Sequence, residues 1–311
     1  MKMNKPKFWD YKRTSYLSLI LFPFTIFLYL LNFFKTYKAK KIKKIKILCL
    51  GNIYLGGTGK TPLAIEFFTL LKKLKYKPIF IKKYYKDQKD EQNLLKKYGK
   101  LLCKEKRIDA IKKAVVMKKN VAILDDGLQD NNINHDLSFV CFNIDNWVGN
   151  GNLLPAGPLR ENIKSLIKYD SVFLTGNGEN AFHIKKNIKK INSKIKIFEA
   201  YYKASNIKKI NKKNKYLVFS GIGNPKSFVK TISLNKIKIS ETLIYPDHYN
   251  YTNKDIKKIK DTAKKLNAKI ITTEKDYLRL NKLQSKNINF LKVKLVIQNM
   301  PKLIKFLKHK L

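Results

Sequence analysis

Apolar and polar positions fall into blocks along the chain. From Thr14 to Phe34 the run TSYLSLILFPFTIFLYLLNFF carries no charge and is long enough for the ~20 residues a spanning helix needs. Lysines and an arginine crowd both flanks: Lys5, Lys7, Lys12 and Arg13 lie before it, and Lys35, Lys38, Lys40 and Lys41 after it. Basic residues on both sides oppose the export of either end. Pro23 falls in the middle. The run therefore reads as a helical hairpin or an interfacial anchor on the cytoplasmic leaflet, ahead of a true span or a buried core helix. It continues into Lys-rich sequence with no small-residue cleavage site, so it does not read as a signal peptide.

The pattern then changes to short apolar runs separated by amphipathic, Lys-rich stretches. Residues 45–50 (IKILCL) predict a buried strand, residues 51–61 a glycine-rich loop and residues 62–75 an apolar-periodic helix. Further buried strands are predicted at residues 77–81, 121–124, 137–142 and 171–174. Strands alternating with helices imply a parallel α/β sheet. A second series begins near Tyr216, after a Lys/Asn-rich stretch at residues 203–215 that reads as a linker. The expected organisation is an N-terminal membrane-associated helix with its basic flank at residues 1–44, a P-loop core at 45–204 and a smaller α/β C-terminal lobe at 205–311.

Composition refines this picture. With 311 residues and 44% hydrophobic content, the chain can bury a sizeable core and is no disordered tail. Its net charge of +45 would attract an anionic membrane surface or a phosphorylated substrate. A nucleic-acid partner is not expected, because only Arg13, Arg107, Arg160 and Arg279 are arginines among 67 basic residues and base readers favour Arg. Lys, Ile and Asn share AT-rich codons, which accounts for Lys-rich solvated faces. Cys49, Cys103 and Cys141 are far apart, and neither they nor the four histidines have metal-ligand spacing.

Candidate chemistry centres on Gly56-Gly57-Thr58-Gly59-Lys60-Thr61, between a predicted strand and a helix. In a P-loop, backbone N–H groups cradle phosphates, the Lys reaches the β/γ oxygens and the Thr hydroxyl binds Mg²⁺. Tyr54 stands where the strict motif has its first Gly, so Tyr54 and Leu55 open a variant loop with its glycines at one end. Asp125-Asp126-Gly127 ends the apolar strand VAIL. Alone it reads as a turn; beside a P-loop it reads as the metal-holding acid of a nucleoside triphosphatase or kinase. The Gly/Pro-dense segment GNGNLLPAGPLRE, from Gly149 to Glu161, reads as a rigid loop placed against a ligand.

Together with GIGNP at Gly221, PDH ending in His248 and TTEKD at Thr272, these motifs resemble the tetraacyldisaccharide 4'-kinase family, in order and over nearly the whole chain. The resemblance implies a two-lobed α/β fold that transfers the γ-phosphate of MgATP to the 4'-hydroxyl of an acylated glucosamine disaccharide 1-phosphate. The product would be lipid IVA, made at the cytoplasmic face of the inner membrane. It implies further that Asp90 is the catalytic base, His248 its partner, and Glu161 a support for the metal at Thr61, Asp126 and Asp125. Where the family usually has a Gly/Arg-rich turn after its second strand, this chain has Lys82-Lys83-Tyr84-Tyr85, and Tyr249 stands in place of a second histidine. A membrane-associated P-loop ATPase switch is the alternative, with a nucleic-acid-dependent ATPase behind it.

Overall fold

Strand β1 (Lys46–Gly51) buries five consecutive residues, the pattern of a strand covered on both faces. It lies inside an eight-stranded sheet in a computed structural model that describes residues 5–11, 13–33, 39–85, 88–176 and 181–311, with the backbone alone for residues 29, 31–33 and 90. After β1 come α2 (Lys60–Lys73), β2 (Pro78–Lys83), α3 (Lys89–Tyr98), β3 (Leu101–Lys104), α4 (Arg107–Val116), β4 (Val121–Asp125) and β5 (Leu137–Asn143). Then follow β6 (Ser171–Thr175), α5 (Ala181–Ile191) and β7 (Lys196–Ala204), while β12 (Val293–Ile297) and α9 (Met300–Lys310) come from the end of the chain. The strand order is β12-β7-β6-β5-β1-β4-β2-β3, and the pairings from β7 through to β3 are parallel.

The chain divides into two compact units that interleave along its length. The larger comprises Lys5–Tyr84, Leu95–Tyr201 and Ile297–Leu311; the smaller includes Tyr85–Leu94 and Tyr202–Val296. In the larger unit, one face of the sheet packs Ile47, Cys49, Ala122, Leu124, Val140 and Val172 against Ile111 and Ala114 of α4 and Ile184 and Ile188 of α5. Elsewhere in the same unit Phe67 packs on Phe139 and Phe173, 4.9 and 5.7 Å away, and Phe306 of α9 packs on Phe198 at 5.5 Å.

In the smaller unit a parallel sheet runs β11 (Ile288–Leu291), β10 (Lys269–Thr273), β8 (Lys215–Ser220), β9 (Lys238–Ile244). Alternation along β8 sends Tyr216 and Val218 to one core, with Phe228 and Ile232 of α6 (Pro225–Leu234), and Leu217 and Phe219 to the other, with Ile256 and Ile259 of α7 (Asn253–Lys265). Since the chain leaves β8 for β9 on one side and returns to β10 on the other, the sheet reverses its order between β8 and β10. Crevices at strand carboxyl ends form at such reversals. The short helix α8 (Glu274–Tyr277) begins there.

Helix α1 (Tyr16–Phe33) corrects one expectation. Pro23 does not break the run into a hairpin; it sits inside one helix, where it removes the N–H that would reach the preceding turn and crowds that turn's carbonyl with its ring. The helix is inverted relative to a soluble one. Among its described side chains Ser18 and Thr25, two turns apart, are the buried ones, whereas Leu17, Leu19, Ile20, Phe22, Phe24, Ile26, Phe27 and Leu30 are exposed. Among the described residues no helix is long and apolar enough to cross a membrane.

Packing leaves no room for a side chain where α3 turns into β3. A Cβ on Gly99 would lie 2.1 Å from Cζ of Phe68, whose ring stacks on Phe80 at 4.4 Å and cannot swing aside. Gly99→Ala is expected to destabilise the protein by about 1–3 kcal/mol, seen as a lower Tm on thermal unfolding; an unchanged Tm would contradict this packing.

Candidate active site

The glycine loop spans residues 52–59 and delivers the chain into α2. Gly56 has φ 143° and Gly59 φ 84°, backbone that side-chain-bearing residues rarely adopt. Gly59 caps α2, and the first turn of the helix carries no acid, so its positive end is not neutralised locally. Asn52 is the internal strut of the loop. Fully buried, it donates through Nδ2 to the carbonyls of Tyr54 and Gly56 and accepts from Lys60 Nζ at 2.9 Å. From β6, the Thr175 hydroxyl donates to the Thr58 carbonyl at 3.2 Å.

Asp125 and Asp126 end β4, directly beside β1, and part company there. Asp125 is buried and accepts from Lys82 Nζ of β2 at 2.8 Å. Asp126 takes a left-handed turn (φ 59°) and brings its carboxylate to Lys60 Nζ, 3.6 Å away, and to Arg160 Nη1 at 3.1 and 3.3 Å. Burial pushes the Asp126 carboxyl up, but Lys60, Arg160 and Lys82 outweigh it and hold the group below the usual carboxylate range. Arg107 braces the turn, donating to the Asp126 carbonyl and to Asp130 Oδ2, the latter at 3.2 Å. Gln129 completes the network by donating to the Asn52 carbonyl (3.1 Å) and to Glu161 Oε1 (2.7 Å). The second oxygen of Glu161 accepts from Tyr169 OH at 2.8 Å.

The segment from Gly149 to Glu161 forms the wall of this site. Leu55 N donates to Pro158 O at 2.7 Å and Arg160 N to Ile53 O at 2.6 Å, so the wall and the glycine loop are stitched strand-like to each other. Tyr54 faces away from the loop centre. Its ring is buried, and its hydroxyl donates to Asp10 Oδ1 and accepts from Lys5 Nζ, both at 2.6 Å. Behind the wall, α1 supplies its two buried hydroxyls: Asn150 Nδ2 donates to Ser18 Oγ at 2.9 Å and Ala156 N to Thr25 Oγ1 at 3.2 Å.

A second cluster occupies the smaller unit. His248 Nε2 lies 4.0 Å from Glu91 Oε1 on α3, and Lys275 Nζ donates to the same oxygen at 2.6 Å. The backbone of Asp90 lies at the start of that helix; its side chain is outside the described residues. The expected site residues thus fall into two groups, with Tyr54 to Thr61, Asp125, Asp126 and Glu161 in the larger unit and Asp90 and His248 in the smaller. Asn52, Gln129, Arg107 and Lys82 were not singled out by the sequence. Their one signal is adjacency, since Asn52 and Gln129 flank the two motifs they join.

A parallel sheet, a strand leading through a glycine loop into a helix, and a Lys–Asp pair at that point define a P-loop nucleotide-binding α/β protein. Residues 15–311 match the family Tetraacyldisaccharide-1-P 4'-kinase. Tetraacyldisaccharide 4'-kinase of Pelagibacter ubique (strain HTCC1062) is 51% identical over 299 residues, covering 96% of this chain and 95% of its own. The protein of that name from Rickettsia bellii (strain OSU 85-389) is 32% identical over 318 residues, with 96% of each chain covered. A crystal structure of the "apo" form of LpxK from Aquifex aeolicus in complex with ATP shares the fold, with a TM-score of 0.67 at 22% identity over 94% of this chain and 99% of that one. The chain belongs to the tetraacyldisaccharide 4'-kinase family.

The cation cluster on Asp126 has a pH signature. A carboxylate depressed below its ordinary value of 3.8 stabilises the fold fully above that pH, and the contribution is lost as pH falls through the native value. The stability difference between wild type and Asp126→Asn should therefore be constant well above pH 3.8 and narrow as the pH falls below it, measured by urea midpoints. A difference independent of pH would contradict the ion-pair geometry.

Proposed function

We propose that this protein transfers the γ-phosphate of ATP to the 4'-hydroxyl of tetraacyldisaccharide 1-phosphate, forming lipid IVA in lipid A biosynthesis. The observation that carries the reading is the convergence of Lys60 and Arg160 on Asp126 at the uncompensated start of α2, in a chain of this family. Phosphoryl transfer depends mainly on positioning and on spreading negative charge. The backbone from Gly56 to Gly59 would cradle the phosphates, and Lys60, with Arg160 beside it, would meet the charge that develops on the transferred group.

The donor set fits Mg²⁺, a hard cation that takes oxygen ligands and usually keeps several waters and phosphate oxygens. Thr61 offers a hydroxyl and Asp126 an ionised carboxylate, with Glu161 alongside. Among the described residues no cluster of three acids, histidines or cysteines could hold an ion unaided, in keeping with a cation held largely by nucleotide phosphates. Mg²⁺ would supply charge neutralisation on the phosphate oxygens. Asp125, committed to Lys82, supports the turn from behind.

A sugar hydroxyl is a weak nucleophile at neutral pH, and a positioned carboxylate can take its proton as phosphorus is attacked. Asp90 is assigned that role and His248 the role of orienting it. The exposed apolar face of α1 supports an interfacial anchor on an anionic membrane, on its cytoplasmic side, where a four-chain lipid would be met.

The test is phosphate transfer from MgATP to tetraacyldisaccharide 1-phosphate in detergent micelles, read by mass of the lipid. A product one phosphate heavier is expected, lost in Lys60→Ala and Asp126→Ala, while Asp90→Ala lowers kcat by roughly 100-fold or more with little change in KM for ATP. Lipid-stimulated ATP hydrolysis without lipid product would instead favour an ATPase switch. Phe24→Ser/Phe27→Ser, on the outer face of α1, is expected to reduce co-sedimentation with anionic vesicles while ATP binding stays intact; undiminished sedimentation would remove the anchor.

A further inference from the structure

The GIGNP, PDH and TTEKD segments meet at the carboxyl ends of β8 and β10, and Arg279, one turn beyond the last of them, ties them together. Its side chain is only 6% exposed. Nη1 donates to Asp276 Oδ1 at 2.7 Å and to the Gly221 carbonyl at 2.6 Å, and Nη2 stands 3.5 Å from His248 Nδ1. The guanidinium is itself held rigidly. Asp276 is fully buried and also accepts from Gly221 N at 3.0 Å, Tyr251 OH at 3.0 Å and Thr273 Oγ1 at 2.6 Å. The backbone of His248, at φ 57°, is fixed to the same point, its N–H donating to Gly221 O at 3.1 Å.

A guanidinium has five donors and no acceptor. A proton on His248 Nδ1 would set two donors head to head, so the lone pair of Nδ1 faces Arg279 and the proton of the neutral ring resides on Nε2. That nitrogen is the one turned toward carboxylates, 4.0 Å from Glu91 Oε1 on α3 and 3.8 Å from Asp247 Oδ1. We propose that Arg279 is a positioning residue for the kinase reaction: it locks His248 in the Nε2–H tautomer, so that the imidazole presents a hydrogen-bond donor on the side of the acidic start of α3. The catalytic consequence rests on the reading of His248 as the partner of the base; the tautomer does not.

Lysine keeps the charge against Asp276 but lacks the fork that reaches carboxylate and ring together, so Arg279→Lys is the informative variant. In full-length protein labelled with ¹⁵N-histidine, the His248 signals, identified by their loss in His248→Gln, are expected to show the Nε2–H pattern. In Arg279→Lys that pattern should give way to a tautomer mixture. The kcat for lipid phosphorylation should fall about tenfold with KM for ATP little changed, measured at a temperature where the variant, whose Tm falls with the loss of the fork, is still folded. Adding Arg279→Lys to His248→Gln should cost nothing further. An Nδ1–H pattern in the wild type, or the same loss from Arg279→Lys in both backgrounds, overturns the proposal, the second outcome marking a purely structural role. Full kcat in His248→Gln would instead overturn the catalytic reading of His248 while leaving the tautomer assignment standing.

Discussion

A carboxylate at the end of a buried strand must be ionised to be useful to a phosphate site, yet burial works against its charge. In the larger unit this tension is resolved at Asp126. A left-handed turn lifts its side chain out of the sheet, and Lys60 and Arg160 come from two different segments to meet it. Asn52 braces the glycine loop from within and accepts from the same Lys60 ammonium. The wall segment that carries Arg160 is stitched to that loop by backbone hydrogen bonds. Asp125, the last residue of the strand, takes the opposite solution and stays buried against Lys82. Two neighbouring acids thereby acquire different duties: one faces the loop and one anchors the turn.

The smaller unit places its histidine around a second buried carboxylate, again met by a cation. There the buried group is Asp276, and a ring of hydroxyl, amide and guanidinium donors surrounds it. His248 stands one contact out from that cluster, rigidly placed and still partly open to solvent.

The alternation of apolar runs and Lys-rich helices placed β1, β2, β4, β5 and β6 correctly, because strands buried on both faces are unbroken apolar words. It missed β3, β11 and β12, which are short and lie at sheet edges, and β7, whose burial is mixed along its length. Half-covered strands mix Lys and Asn among their apolar residues and lose the signal. At the candidate site, the nearness of Lys60 and Asp126 was legible because a glycine loop and a strand end prescribe where each falls. Asn52 and Gln129 were not, since an amide that braces a loop looks like any turn residue until the loop is seen closed. The inverted face of α1 was also hidden. The buried hydroxyls of Ser18 and Thr25 reveal which side meets protein.

The scarcity of arginine acquires a meaning from these contacts. Of the four arginines in the chain, Arg107 joins a carbonyl to a carboxylate, Arg160 a carboxylate to an amide, and Arg279 a carboxylate, a carbonyl and an imidazole. None of these junctions suits the single point charge of a lysine. In a chain whose basic residues are otherwise almost all lysine, composition has performed the equivalent of an Arg-to-Lys scan over the whole surface. Arg107, Arg160 and Arg279 mark joints where the planar fork itself is structural, and all three stand in the two side-chain clusters around Asp126 and Asp276.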